Sequence, residues 1–284
     1  DMGLKLIVDS ASDISIEEAK ELGIRVMPLS ISFADKDYKD GVDLSKLEFY
    51  KKLKESSELP KTSQVSPYEF DQAINDVVSN GDAAIVITIA STLSGTYSSA
   101  TIAASNYPDD KVVVIDSMTA SVGERVLVLY ALDLIKQGLD IKEIAKILNE
   151  KKEKIRIVYL MDTLETLYKG GRLSRLETMT GSILGVKPIL ALTDGKIKLV
   201  GKARGSKKAT ATHVDIAGKY GSVDLSMPHC MSFSGENIES VIDNLKPYEN
   251  FYNSAFGDID LTVMGATVGT HVGPGAVAVG FFSK

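Results

Sequence analysis

Ala83-Ala-Ile-Val-Ile-Thr-Ile-Ala90, followed at once by Ser91-Thr-Leu-Ser-Gly-Thr-Tyr97, decides the fold. The first stretch is nearly all apolar and rich in β-branched side chains, which reads as a strand buried on both faces. It is too short to cross a bilayer. The hydroxyl-rich stretch after it, broken at Gly95, reads as a turn into a helix. A strand hidden on both faces needs a layer of helices above and below it. That is the signature of a mostly parallel sheet.

The neighbouring sequence fits that frame. Upstream, Lys5–Asp9 reads as a strand, and Ser15-Ile-Glu-Glu18 is a capping box for a helix that stops at Gly23. Ile24–Phe33 reads as a second strand. Ser45-Lys-Leu-Glu48 opens another helix, and 59–65 reads as a connection containing Pro60. Ser66-Pro67 opens a third helix, which Asn80-Gly81 stops. Downstream, Lys111–Asp116 is a strand, followed by helices over Thr119–Gln137 and Ile141–Lys154. Sheets of this kind bind ligands at the carboxyl ends of their strands. The Ser-rich turns after Asp9, Ala90 and Asp116 lie there.

The pattern changes near residue 155. Ile155–Met161 reads as a strand, then Gly170-Gly171-Arg172 as a turn, then a helix near Arg175–Leu184. Asp194-Gly195 between two apolar runs is a hairpin signal. Ser206–Tyr220 and Asn237–Leu245 read as helices, and Pro228–Phe233, Leu261–Met264 and Ala276–Phe282 as strands. The expected fold class is therefore α/β: an N-terminal domain (1–155) with a mostly parallel sheet covered by helices, and a C-terminal α+β domain (156–284).

Composition narrows the function. Of 284 residues, 44% are apolar and 25% charged, the balance of a soluble globular chain. The net charge is −6, with 15 Lys+Arg against 25 Asp+Glu in residues 1–150 and 17 against 13 thereafter. Lys187–Lys208 is strongly basic but carries no aromatic residue to stack a base, which argues against nucleic acid. One cysteine, Cys230, excludes an intramolecular disulfide and a cysteine metal cluster. No metal site is expected. The default location is cytoplasmic, with no stable membrane insertion.

Familiar catalytic signatures are missing: there is neither a phosphate loop nor a nucleophile elbow. Three hydroxyl-rich turns remain, at Lys61-Thr62-Ser63-Gln64, Ser91–Tyr97 and Gly269-Thr270-His271-Val272-Gly273-Pro274-Gly275. Alone, each is ordinary turn chemistry. Together, hydroxyls, helix-start N–H groups and an imidazole make an anion site with no fixed positive charge, suited to a carboxylate on an apolar ligand. Asp9 and Asp116, both at strand ends, support a competing reading: a phosphotransferase or hydrolase acting on a small anionic substrate.

The sequence resembles the DegV family, bacterial fatty-acid-binding proteins that serve a fatty acid kinase. The resemblance rests on Thr62-Ser63-Gln64, Ser94-Gly95-Thr96-Tyr97, Gly170-Gly171-Arg172, Arg204 with Lys208-Ala209, and His271 with Gly273-Pro274-Gly275-Ala276. Val65 departs from it, standing where the family often has proline. The resemblance implies a two-domain fold holding a long-chain fatty acid between the domains, with its acyl chain threading into the second. Thr62, Ser63, Ser94, Gly95 and His271 would meet the carboxylate, and Arg172 and Arg204 would lie near the head group or a docking face. It implies no cofactor and no catalysis by this chain. A separate fatty acid kinase would phosphorylate the carboxylate, and an acyl-phosphate acyltransferase of phospholipid synthesis would receive the product.

Overall fold

The computed structural model describes residues 2–175, 177–178 and 185–284. Along the first half run β1 (Leu4–Asp9), α1 (Ile16–Leu22), β2 (Arg25–Met27), β3 (Ser30–Ser32), β4 (Asp37–Lys39), α2 (Lys46–Glu55), β5 (Lys61–Ser63), α3 (Pro67–Ser79), β6 (Ala83–Thr88), α4 (Thr96–Ala104), β7 (Val112–Asp116), α5 (Val122–Lys136) and α6 (Ile141–Lys151). Then follow β8 (Ile155–Leu160), α7 (Glu165–Lys169), β9 (Val186–Thr193), β10 (Lys196–Arg204), α8 (Ser206–Tyr220), β11 (His229–Phe233), α9 (Lys246–Tyr252), β12 (Leu261–Val263), α10 (Ala266–Val272) and β13 (Val277–Phe282).

The order β2-β1-β6-β7 makes a parallel sheet, and the fully buried β6 is its centre. Leu6 lies opposite Ile85, and Ile85 opposite Val113. A six-stranded mixed sheet, β10-β9-β8-β13-β11-β12, is built from the second half. Helix α5 lies between the two sheets, so one apolar core runs from Val8, Ile85 and Ile87 through Val126 to Tyr159, Leu190 and Phe282. Gly280 allows this approach. A β-carbon there would stand 3.0 Å from the carbonyl carbon of Val122. The architecture is the expected α/β class, with a parallel sheet flanked by helices and a separate mixed sheet.

Several expectations give way to the structure. The single strand expected over Ile24–Phe33 is two, β2 and β3, in different sheets. Pro28 stands between them and has no N–H for a ladder. The connection 59–65 contains a strand, β5, which pairs with β3. The helix expected over Asn237–Leu245 is one 3-10 turn, Ile238–Ser240, and the helix lies instead at α9, with Pro247 in its first turn. Glu18 does not reach back to complete a capping box, because Arg125 takes its carboxylate. The turn expected over Gly269–Gly275 is helical as far as Val272. The helix expected near Arg175–Leu184 falls largely outside the described residues.

The segment leading into α10 is fastened to the first half by charged and polar groups. Arg125, buried on α5, holds Glu18 and Asp260 together, both bidentately. The Lys46 ammonium donates to the Val263 carbonyl at 2.6 Å, and the Tyr50 hydroxyl to the Met264 carbonyl at 2.7 Å. Asp13 accepts from Gly265 N–H, and Asp40 from Ala266 N–H, Thr267 N–H and the Thr267 hydroxyl. The placement of α10 is thus set from the other half of the molecule.

Candidate functional site

Between the two sheets lies a cavity of about 330 Å³. Leu29, Ile89, Leu93 and Ala120 line it from the first half, and Met161, Leu167, Leu190, Leu192, Ile197 and Val268 from the second. Thr62, Ser63, Ser94, Gly95, Arg172 and His271 also line it. Each had been singled out from sequence, and they come from four separate segments. Arg204 is not among the lining residues. It is exposed at the end of β10.

The polar side chains form a connected set. Thr62 is the middle residue of β5, and its Oγ1 lies 2.7 Å from Nε2 of His271 in the last turn of α10. The Ser94 hydroxyl bonds the Thr96 hydroxyl at 2.9 Å and accepts from Thr96 N–H. Gln64 was not singled out as a ligand group, yet it lines the cavity and donates to the Ser99 hydroxyl. Its amide fills the place a side chain at residue 95 would need. Gly95 has an ordinary φ of −72°, so this crowding, not backbone strain, is what glycine relieves there.

Arg172 changes the electrostatic reading. The guanidinium donates to the Leu93 carbonyl through two nitrogens and to the Gly170 carbonyl at 2.6 Å. Among the described residues it forms no ion pair with a carboxylate. Half-buried, it keeps its charge at a cost, and burial pulls its pKa down. The expectation of an anion site without fixed positive charge is therefore corrected: a cation faces the cavity. His271 is pushed down to about 4 by burial and then by the Arg172 charge, so it is neutral at physiological pH.

The strand-end carboxylates behave differently. Asp9 is fully buried, and its two oxygens accept from Ala11 and Ile89 N–H. Asp116 accepts from Ser91 and Met118 N–H. Both hold turns, and neither lines the cavity. A wider cleft of about 550 Å³ lies beyond the Pro274-Gly275 turn, with Lys54, Lys187, Asp162 and Glu236 among its walls. Its mixed charges and open shape define no single ligand class. Among the described residues no cluster of His, Cys, Asp or Glu is arranged to hold a metal, and no helix is long and apolar enough to cross a membrane.

The family model described as "Uncharacterised protein, DegV family" matches residues 3–284. The chain belongs to the DegV family. A DegV domain-containing protein of Caldanaerobacter subterraneus is 36% identical over 287 residues, covering 99% of each chain. Among solved structures, a stearic-acid-binding protein from Eubacterium ventriosum superposes with a TM-score of 0.86 at 28% identity, covering 99% of this chain and 98% of that one. A DegV fatty-acid-binding protein from Bacillus subtilis superposes with a TM-score of 0.82 at 30% identity, covering 100% of both.

Proposed function

We propose that this DegV protein is a non-catalytic carrier of one long-chain fatty acid, held with its acyl chain in the cavity between the sheets and its carboxylate at Thr62, Ser63, Ser94, Gly95, Arg172 and His271. The observation that carries this reading is Arg172: a half-buried guanidinium at an apolar cavity, satisfied by carbonyls and unanswered by any carboxylate of the described chain. Leaving a charge so poorly solvated is costly, and a ligand carboxylate offsets that cost. Burying each CH₂ of the chain adds ~0.8 kcal/mol, so affinity comes from the tail and orientation from the head.

The resemblance extends the proposal. The bound carboxylate is presented to a separate fatty acid kinase, which phosphorylates it, and the acyl phosphate passes to an acyltransferase of phospholipid synthesis, all in the cytoplasm. The basic stretch Lys187–Lys208, on β9, β10 and the start of α8, is a docking face for such a kinase, with Arg204 on it. The His271–Thr62 pair does not favour catalysis by this chain. A histidine acting as base on Thr62 would carry its proton on Nδ1, which is buried with no partner among the described residues.

Mass spectrometry of protein purified and then denatured tests the carrier reading. We expect a stoichiometric long-chain fatty acid, or uptake of palmitate or oleate by delipidated protein. Finding neither would remove it.

A further inference from the structure

We infer that Gly170 is a positioning residue: its bare α-carbon seats the His271 ring so that the ring proton sits on Nε2, which makes the Thr62 hydroxyl a donor into the cavity and favours a charged, accepting head group. The inference rests on the carboxylate-binding reading above and names the specificity of that site.

Gly170 has φ −77° and ψ −4°, a conformation any residue adopts. Glycine is needed there for space alone. A β-carbon would overlap His271 Nδ1, lie 2.9 Å from its Cε1 and stand 3.0 Å from the Thr166 carbonyl oxygen. Packed this way, Nδ1 is buried and has no hydrogen-bond partner among the described residues. A neutral imidazole carries one N–H. Burying that N–H unpaired is the costlier choice, and orphaned donors are rarer than under-satisfied acceptors. The proton therefore belongs on Nε2, where Thr62 Oγ1 accepts it at 2.7 Å.

Thr62 then has its own hydrogen left to give, and it lines the cavity. Arg172, whose charge also acts on His271, is donor-only. Among the described residues Arg172 is also the charge that acts on His271, whose other close neighbours, Thr62, Thr166 and Gly170, are uncharged. A carboxylate answers two donors without loss. A fatty alcohol of equal length offers these donors only a neutral oxygen, without the charge that strengthens each bond.

The test uses histidine-labelled protein and the pair palmitate and hexadecanol. Nitrogen-15 NMR of the ligand-free protein, with His271 assigned by its loss in His271→Ala, reads the ring proton directly. We expect it on Nε2. Palmitate should bind at least about tenfold more tightly than hexadecanol, the worth of one hydrogen bond to a charged group. Gly170→Ala should shrink that preference several-fold. His271→Gln, which places an amide N–H where Nε2–H was, should keep more of the preference than His271→Asn, which places it where Nδ1 was.

A proton on Nδ1, an unchanged preference in Gly170→Ala, or an Asn variant equal to the Gln variant would each overturn the inference. If Gly170→Ala melts early, the Gln and Asn variants and the NMR spectrum decide. If the wild type takes up neither probe, the carrier reading is lost. The ligand-free spectrum then judges the Gly170 seat alone: Nε2–H upholds it and Nδ1–H overturns it.

Discussion

Helix α10 has a polar cluster at each end. At its start, the Asp13 and Asp40 carboxylates accept from Gly265, Ala266 and Thr267, and Ser121 donates to Asp13 as well. At its end, His271, Thr62 and Arg172 offer N–H and O–H groups, and no carboxylate of the described chain meets them. Both clusters are largely hidden from water. The first balances donors against acceptors within the chain and so holds the structure together. The second leaves one sign over, and that surplus is what the proposed binding site rests on.

If that distinction is sound, breaking the first cluster costs stability and breaking the second costs ligand. Asp40→Ala should show the largest effect. It strands two backbone N–H groups and the Thr267 hydroxyl in a buried place. Urea unfolding should report a loss of about 3 kcal/mol. A loss under about 1 kcal/mol would mean the start of α10 is held by other groups.

Thr62→Ala combined with Ser94→Ala is the matching break at the other end. Two hydrogen bonds to a charged ligand are removed, so palmitate affinity should fall by about a hundredfold. Unfolding free energy should fall by no more than about 2 kcal/mol, less than in Asp40→Ala, because the His271 Nε2–H that loses its acceptor lies at a cavity and neither hydroxyl is fully buried. Equal damage to stability and binding would erase the contrast between the two ends.

Glu124 sharpens the same idea from within the core. Both its oxygens are buried and lack a donor among the described residues, and its neighbour is Asp9. Burial first, then the Asp9 charge, raises the Glu124 pKa well above its ordinary 4.5, and Asp9 itself is pushed up to about 7 by burial. Once unfolded, Glu124 releases its proton near the ordinary value. The folded state therefore binds more protons above that pH, and stability falls as pH rises toward the folded values. Each proton so held gives a slope of about 1.4 kcal/mol per pH unit. Glu124→Gln should flatten the fall of melting temperature between pH 5 and 8. An unchanged profile would show that Glu124 is already ionised in the fold.

Much of this was legible in sequence because it is local. The capping residues Ser15, Ser45 and Ser66, the buried run Ala83–Ala90 and the Asp194-Gly195 turn announce elements through their own neighbours, and those elements form. The helix carrying His271 was hidden because Gly269, Gly273, Pro274 and Gly275 read as a loop. Its helical part is held from outside, by Asp13 and Asp40, more than two hundred residues away in sequence. The cation at the cavity was expected only through the family resemblance, not from its own neighbours. Gly-Gly-Arg reads as a surface turn until the fold lays Arg172 against the Leu93 carbonyl.

The two arginines singled out from sequence give the smallest expected effect and a clean control. Arg172 faces the cavity with its charge unanswered, whereas Arg204 ends β10 in solvent and lines no part of it. An exposed charge away from the ligand acts through screened, high-dielectric space and contributes little to binding energy. Arg204→Ala should therefore leave palmitate affinity within about twofold, measured at moderate salt. If it serves a docking face, its loss should appear only when the kinase is present, as a slower and more salt-sensitive encounter. A large loss of palmitate affinity in Arg204→Ala alone would mean that the head group is gripped from the β10 end of the sheet, and that Thr62, Arg172 and His271 are not where the carboxylate rests.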